Sequence, residues 1–303
     1  MRKVSIGGSA RASTKAARAA VIAIDGEDAG GRRSAAGLPG CIVTYSDGRP
    51  PRLTGYPGSK AAAGVVERIC REMPLHDCYI ELFSGFAAVF RKKRPAASSI
   101  LIDASASTIK ALKAWLTKAG MVARVTKCDA IDALYELPEF KSPKTLVFVD
   151  PPYIREVVTR DYYEHPFDTV DQHRLLLHKL SGLPCMVMMT HYRHPLYEEL
   201  LRGKWRQTSI PAMTRGGRRT EYLWCNFGPV TAVHDTRFAG GDFRERERIK
   251  RKRARWLKRF ESMGQLERQA VAQVLVECDR ASVDAAMRSA SPGTAINPAA
   301  PGR

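Results

Sequence analysis

The stretch Leu146-Val147-Phe148-Val149-Asp150-Pro151-Pro152-Tyr153 passes directly from an apolar run to a carboxylate, two prolines and an aromatic ring. The run is short, rich in β-forming residues and bounded upstream by Pro143, which predicts a buried strand. The two prolines fix φ, remove two backbone donors and bar the helical region to the residue before each. The chain should therefore leave the strand as a rigid extended loop at its carboxyl end, where open α/β sheets keep their ligand sites. Asp150 and the Pro151 carbonyl can accept two hydrogen bonds from an exocyclic amine, and Tyr153 can stack on the ring that carries it. A plain surface turn is the alternative.

Outward from this loop, strand-like and helix-like segments alternate over residues 41–236. That alternation predicts an α/β domain with a mostly parallel sheet covered by helices. Strands are expected at 78–83, 99–103, 123–127, 145–149, 185–190 and 222–227, and helices at 60–71, 106–118, 130–137, 171–180 and 195–201. Residues 1–40, rich in Ala, Ser, Gly and Arg, are expected to form a disordered tail. A third zone, 237–303, is expected to be a basic helical extension ending in an unstructured tail. Its segment 245–263 carries nine Lys/Arg against three Glu, with Ile249, Trp256, Leu257 and Phe260 spaced for an apolar face, and a second helix is expected at 266–278.

Four further segments carry candidate chemistry. Tyr79-Ile80-Glu81-Leu82-Phe83 runs into Ser84-Gly85-Phe86-Ala87-Ala88: a strand, a small-residue turn and a helix start, either a ligand loop or an ordinary βα turn. Asp103 ends the second strand, about 20 residues on, where a ribose hydroxyl pair would be held or a helix capped. Asp129 likewise either accepts from a cofactor's adenine amino group or caps the helix that follows. Upstream, Gly55-Tyr56-Pro57-Gly58-Ser59-Lys60 is a tight turn delivering Tyr56 and Lys60, without the spacing of a Walker loop.

Among 303 residues, 49 Lys/Arg against 31 Asp/Glu give a net charge of +18, which favours a polyanionic partner, most simply nucleic acid, over a membrane surface. No apolar stretch approaches the roughly 20 residues of a membrane span, so a soluble protein is expected. The seven cysteines are scattered without a Cys-x-x-Cys pair, and Cys78, Cys128, Cys185 and Cys225 read as reduced, buried thiols of a cytoplasmic protein.

Taken in order, Tyr56-Pro57-Gly58-Ser59-Lys60, Tyr79 to Gly85, Asp150-Pro151-Pro152-Tyr153 and Thr214 to Phe227 resemble the DNA adenine N6-methyltransferases, most of all the Dam-like type of bacteria and phages. The likeness covers residues 50–230. It implies a Rossmann-like fold that uses S-adenosylmethionine and no metal. Tyr56 and Lys60 would lie beside the cofactor, with Glu81, Phe83, Ser84 and Gly85 forming its pocket. Asp103 would hold the ribose hydroxyls and Asp129 the cofactor adenine. Asp150, Pro151, Pro152 and Tyr153 would receive the target base. The implied partner is DNA, with RNA as the alternative; cytosine N4 is a rival target, and a catalytically silent nucleic-acid-binding protein is the rival class. A restriction-modification setting would be usual for such an enzyme.

Two departures from the family stand out. The cofactor loop has fewer glycines, and the segment between it and Asp150 has little room for a base-reading insertion. Nucleic-acid contacts are therefore expected from Arg155 and Arg160, from Arg215, Arg218 and Arg219, and from Lys250, Arg251, Lys252 and Arg253.

Overall fold

The computed structural model describes Lys60 and residues 64–157, 167–214 and 217–290, without the side chains of residues 212–214 and 218. Tyr56, Arg160, Arg215, the side chain of Arg218 and the 1–40 tail lie outside the described residues. In chain order the elements are α1 (Val65–Arg71), β1 (Cys78–Leu82), α2 (Ala88–Lys92), β2 (Ser98–Asp103), α3 (Ala106–Ala119), β3 (Arg124–Lys127), α4 (Ala130–Glu136), β4 (Thr145–Val149), α5 (Val170–Ser181), β5 (Met186–Tyr192), α6 (Pro195–Leu201), β6 (Arg206–Thr214), β7 (Gly217–Cys225), α7 (Phe243–Glu261) and α8 (Gln265–Ala290).

The strands form one sheet in the order β3-β2-β1-β4-β5-β7-β6. The first five are parallel, while β7 runs antiparallel to both β5 and β6. This is a Rossmann-like α/β fold. Its winding reverses between β1 and β4, the switch point where such sheets open a crevice at their carboxyl ends.

Residue alternation along each strand divides the core. Tyr79, Leu101, Leu146, Phe148 and Met188 face α1, α2 and α3 through Val66, Ile69, Phe90, Leu112 and Leu116. Ile80, Leu82, Ile102, Val147, Val149 and Met189 face α4, α5 and α6 through Ala133, Leu176, Leu177, Leu196 and Tyr197. Every residue of β4 is buried, and each of its four large apolar side chains contributes about 1.5–3 kcal/mol by leaving water. The central strand is thus the least movable support available to the loop that follows it.

Some expected boundaries are corrected. The helix expected from residue 60 begins at Val65, where Gly64 caps it at φ 85°, and Lys60 sits in a turn instead. The expected strand at 222–227 is the end of β7, which starts at Gly217 and pairs with β6 along nine residues. β6 was not expected, because Arg206–Thr214 is mostly polar and contains Pro211. A proline is tolerated there because β6 is an edge strand with one side unpaired. The helix expected at 266–278 continues as α8 to Ala290, interrupted at Asp279 (φ −158°, ψ 79°), whose carboxylate accepts from Ser282 N–H at 3.0 Å. Leu257 is exposed, away from the face that Ile249 and Phe260 share. Cys185 and Cys225 are buried free thiols as expected, but Cys78 and Cys128 are only half-buried, at the rim of the sheet. No helix among the described residues is long and apolar enough to cross a membrane.

Candidate active site

Strand register brings the pieces together. Leu82 pairs with both Ile102 and Val149, so Phe83, Asp103 and Asp150 emerge side by side at the carboxyl edge of the sheet. Val149 pairs with Met189, which makes Thr190 the cross-strand neighbour of Asp150. Tyr192 pairs with Glu221 on the antiparallel strand next to it.

Asp150 is held through one oxygen. Its Oδ1 lies 2.7 Å from Lys60 Nζ and accepts the Thr190 hydroxyl at 2.8 Å. Its Oδ2 has no hydrogen bond or ion pair among the described residues, and 19% of the side chain is exposed. Lys60 Nζ also lies 2.8 Å from Glu221 Oε1 and donates to the Tyr153 hydroxyl at 2.9 Å. Tyr153 in turn donates to Glu221 Oε1 at 2.6 Å. Two carboxylates therefore share one ammonium, and with Lys60 charged the cluster carries a net −1.

The electrostatics follow from that crowding. Burial disfavours the Lys60 ammonium, but the carboxylates of Asp150 and Glu221 outweigh it and hold its pKa well above the ordinary lysine value. The Asp150 carboxyl is raised above its usual range by burial and by Glu221, while Lys60 opposes the rise. Burial likewise keeps the Tyr153 hydroxyl un-ionised.

The loop is also gripped at its exit. Having lost two donors to proline, it presents Ile154 N–H, which donates to His191 Nε2 at 3.2 Å. The other ring nitrogen of His191 pairs with the Tyr192 carbonyl at 2.7 Å, so Nδ1 carries the hydrogen and Nε2 accepts. Burial and the neighbouring His173 keep this imidazole neutral. His191 also presents its ring to Tyr153 at 5.5 Å, edge-on. The Tyr192 ring lies 4.3 Å from Tyr153, and the Arg219 guanidinium stands over Tyr192 at 5.3 Å.

On the β1 side, the turn after Leu82 is strained. Phe83, Gly85 and Ala87 have φ of 55°, 50° and 48°, and only glycine adopts such angles without cost. Left-handed residues of this kind cluster at ligand sites. Asp103 stabilises the turn: Gly85 N–H donates to its Oδ2 at 2.8 Å and Ser105 N–H to its Oδ1 at 3.0 Å. The N-cap of α3 is Ser105, not Asp103. Ser84 Oγ is buried without a hydrogen-bond partner among the described residues, an orphaned polar atom of the kind a polar ligand satisfies. Glu81 accepts from the Tyr79 hydroxyl at 2.8 Å and from Phe90 N–H at 3.1 Å, and burial pushes its carboxyl up to about 8. Asp129 caps α4 through Ile131 N–H at 2.7 Å. An orphaned hydroxyl, a strained turn and strand-end carboxylates fit a polar cofactor with a ribose and an amino acid end.

Thr190, His191, Tyr192 and Glu221 are absent from the sequence-based set. A polar residue closing the apolar run Met186–Met189 was the available signal for Thr190, and Glu221 lay inside the 214–227 segment. Of the expected nucleic-acid contacts, Arg155 is ion-paired with Asp168 at 2.6 Å, and Arg219 donates to the Val157 carbonyl at 3.3 Å. Lys250 pairs with Glu247 at 3.3 Å.

The family model described as conserved hypothetical protein 95 matches residues 68–200. No curated protein matches the chain. Among solved structures, the chain is similar to the SAM-dependent methyltransferase of Agrobacterium tumefaciens (15% identity, TM-score 0.36, 53% of this chain and 58% of that one). It is also similar to TrmN of Thermus thermophilus (14%, 0.40, 55% and 50%) and to the N-terminal domain of human METTL16 in complex with SAH (14%, 0.37, 54% and 68%). The chain thus spans little more than half of the first of these structures, and likenesses this distant identify no substrate.

Proposed function

We propose that this chain transfers a methyl group from S-adenosylmethionine to the exocyclic amine of a nucleobase, and that the base is adenine in DNA, methylated at N6. The observation that carries this reading is Asp150: one carboxylate oxygen is immobilised by Lys60 and Thr190, while the other has no hydrogen bond or ion pair among the described residues, at the sheet edge next to the strained turn.

When bound, S-adenosylmethionine supplies a methyl group activated by a sulfonium centre. Glu81, Ser84, Gly85, Asp103 and Asp129 would hold it, with Asp103 and Asp129 keeping their backbone contacts or exchanging them for hydroxyl and amino groups. The amine is a poor nucleophile because its lone pair is delocalised into the ring. Asp150 Oδ2 and the Pro151 carbonyl accept its two hydrogens, which favours a pyramidal nitrogen and frees the lone pair for in-line attack. Positioning and electrostatics then provide most of the rate. The carboxylates of the Lys60–Asp150–Glu221 cluster would stabilise the positive charge that develops on the nitrogen, and Asp150 Oδ2 would take the proton that the methylated nitrogen sheds, the electron pair of the broken carbon–sulfur bond staying with the departing thioether. A target base must leave its stack to reach this depth, and Tyr153 offers a ring against which to place it.

RNA is the second reading, and one observation favours it. Between α2 and Asp150 the chain is occupied by β2, α3, β3, α4 and β4, with no inserted segment to read a duplex. In domain terms, residues 41–236 would be the catalytic unit and 237–303 an accessory extension. The test is incubation with methyl-labelled S-adenosylmethionine and, separately, unmethylated duplex DNA, single strands and total RNA, followed by nucleoside identification. N6-methyladenine from duplex DNA is expected. Label only from RNA would transfer the reading to the second substrate, and no label with no cofactor binding would end it.

A further inference from the structure

α7 is a continuous helix over Phe243–Glu261, capped by Asp242 and tied to the core where Arg71 donates to the Gly241 carbonyl at 3.0 Å. At 3.6 residues per turn, positions 244, 248, 251, 255 and 258 fall on one side. They are Arg244, Arg248, Arg251, Arg255 and Lys258, and all five are exposed. The row is about 21 Å long with a cation roughly every 5 Å.

The helix does little to neutralise this row. Of its glutamates, Glu245 faces Gly241 N–H at 2.6 Å and reaches Arg248 at 3.5 Å, and Glu247 pairs with Lys250. Arg244, Arg251, Arg255 and Lys258 have no ion pair among the described residues. Ile249 and Phe260, both half-buried, lie on another side of the helix, so the charged side is the one left to a partner. Glutamates stand i±3 or i±4 from four of the five row cations (Glu247 from Arg244 and Arg251, Glu245 from Arg248, Glu261 from Lys258), but among the described residues only Glu245 and Arg248 come within ion-pair distance, and Glu247 turns to Lys250 instead. With ten Lys/Arg against three Glu over Phe243–Glu261, the helix stays strongly positive along its length.

We infer that this row is a docking rail for the phosphate backbone of duplex DNA. A polyanion offsets that positive charge and releases counterions, and a second copy of this basic helix would only add to it. A duplex already holds its phosphates in a rigid array that a rigid row of cations can meet, whereas a single strand loses conformational freedom when it is ordered against the row. The inference rests on the nucleic-acid part of the proposed function and not on methyl transfer. It also redraws the contacts expected from the sequence: Arg251 is on the rail, while Lys250 and Arg253 point elsewhere.

Two variants of equal charge test it. Arg251→Gln with Arg255→Gln removes two rail cations; Lys250→Gln with Arg253→Gln removes two cations off the rail. Binding of the full chain to fluorescent duplex DNA is measured by anisotropy over a salt series, without methyl donor. The rail variant should lower the slope of log K against log salt by about 1.8, and the off-rail variant by less than half of that. Equal losses in the two variants, or none in the rail variant, would overturn the inference. So would a rail variant whose binding to phosphatidylserine vesicles or single-stranded RNA falls while duplex binding is kept. Because transfer is not measured, an unchanged slope leaves the methyltransferase reading standing, and an inactive enzyme leaves the rail standing.

Discussion

Asp150 and Glu221 share a single cation: Lys60 Nζ lies 2.7 Å from Asp150 Oδ1 and 2.8 Å from Glu221 Oε1. Burial and the neighbouring Glu221 therefore raise the proton affinity of Asp150, while Lys60 opposes the rise. Asp150 must be ionised to accept the amine, so its raised pKa sets the acid limb of the pH–rate profile. Glu221→Gln removes the repulsion and leaves Lys60 to Asp150 alone, which lowers the Asp150 pKa. The acid limb should move to lower pH, and the plateau rate should fall by no more than about tenfold, since glutamine still accepts the Tyr153 hydroxyl. A shift to higher pH would contradict the shared-cation arrangement.

His191 holds the exit of the catalytic loop through Ile154 N–H. His191→Ala leaves that buried donor unpaired, at a cost of about 1–3 kcal/mol. The expected kinetic result is a fall in kcat with cofactor affinity unchanged, partly restored in His191→Gln, whose carbonyl oxygen can accept. Equal losses in the two variants would make His191 a packing residue only.

Asp103 carries two backbone N–H groups of the cofactor turn. Asp103→Ala should weaken S-adenosylmethionine binding at least tenfold by calorimetry, and should lower Tm as the strained residues lose their tether. Binding that survives with a lower Tm would confine Asp103 to a structural role.

Glu81 links the same turn to stability. Its folded pKa is raised to about 8 from an ordinary 4.5, so the folded state holds a proton that the unfolded chain releases. That contribution is fully present below pH 4.5 and is lost as pH rises toward 8, at no more than about 1.4 kcal/mol per pH unit. Lys93, pushed down by burial to about 7 from 10.5, acts in the opposite sense above pH 7. Below pH 6.5 the buried histidines His76, His173, His191 and His234, held below their ordinary value by burial, also act opposite to Glu81, so the Glu81 contribution is read as the difference between the natural protein and Glu81→Gln. Urea unfolding between pH 4.5 and 8 should show the stability of the natural protein falling with pH relative to that of Glu81→Gln. Parallel slopes would place the Glu81 proton elsewhere.

Much of this was legible in the residues because it is local. The run 145–149 is apolar on both sides of the strand, and the prolines after it admit few backbone conformations, so strand and loop were readable together. Asp103 and Asp129 were readable as strand-end carboxylates, though their observed partners are backbone N–H groups nearby. What could not be read depends on pairing between distant strands. Glu221 joins the site because Tyr192 pairs with it across an antiparallel register, and β6 was hidden by its polarity and by Pro211. The strain at Phe83 and Ala87 was invisible because neither residue advertises a left-handed φ as glycine does.

The central claim is that Asp150 receives the amine to be methylated. The direct measurement is label transfer from S-adenosylmethionine to unmethylated duplex DNA by the natural protein and by Asp150→Ala, with cofactor binding measured on both. N6-methyladenine formed by the natural protein and lost in Asp150→Ala, with cofactor affinity within a few-fold, is the predicted result. Transfer that persists in Asp150→Ala would contradict the claim.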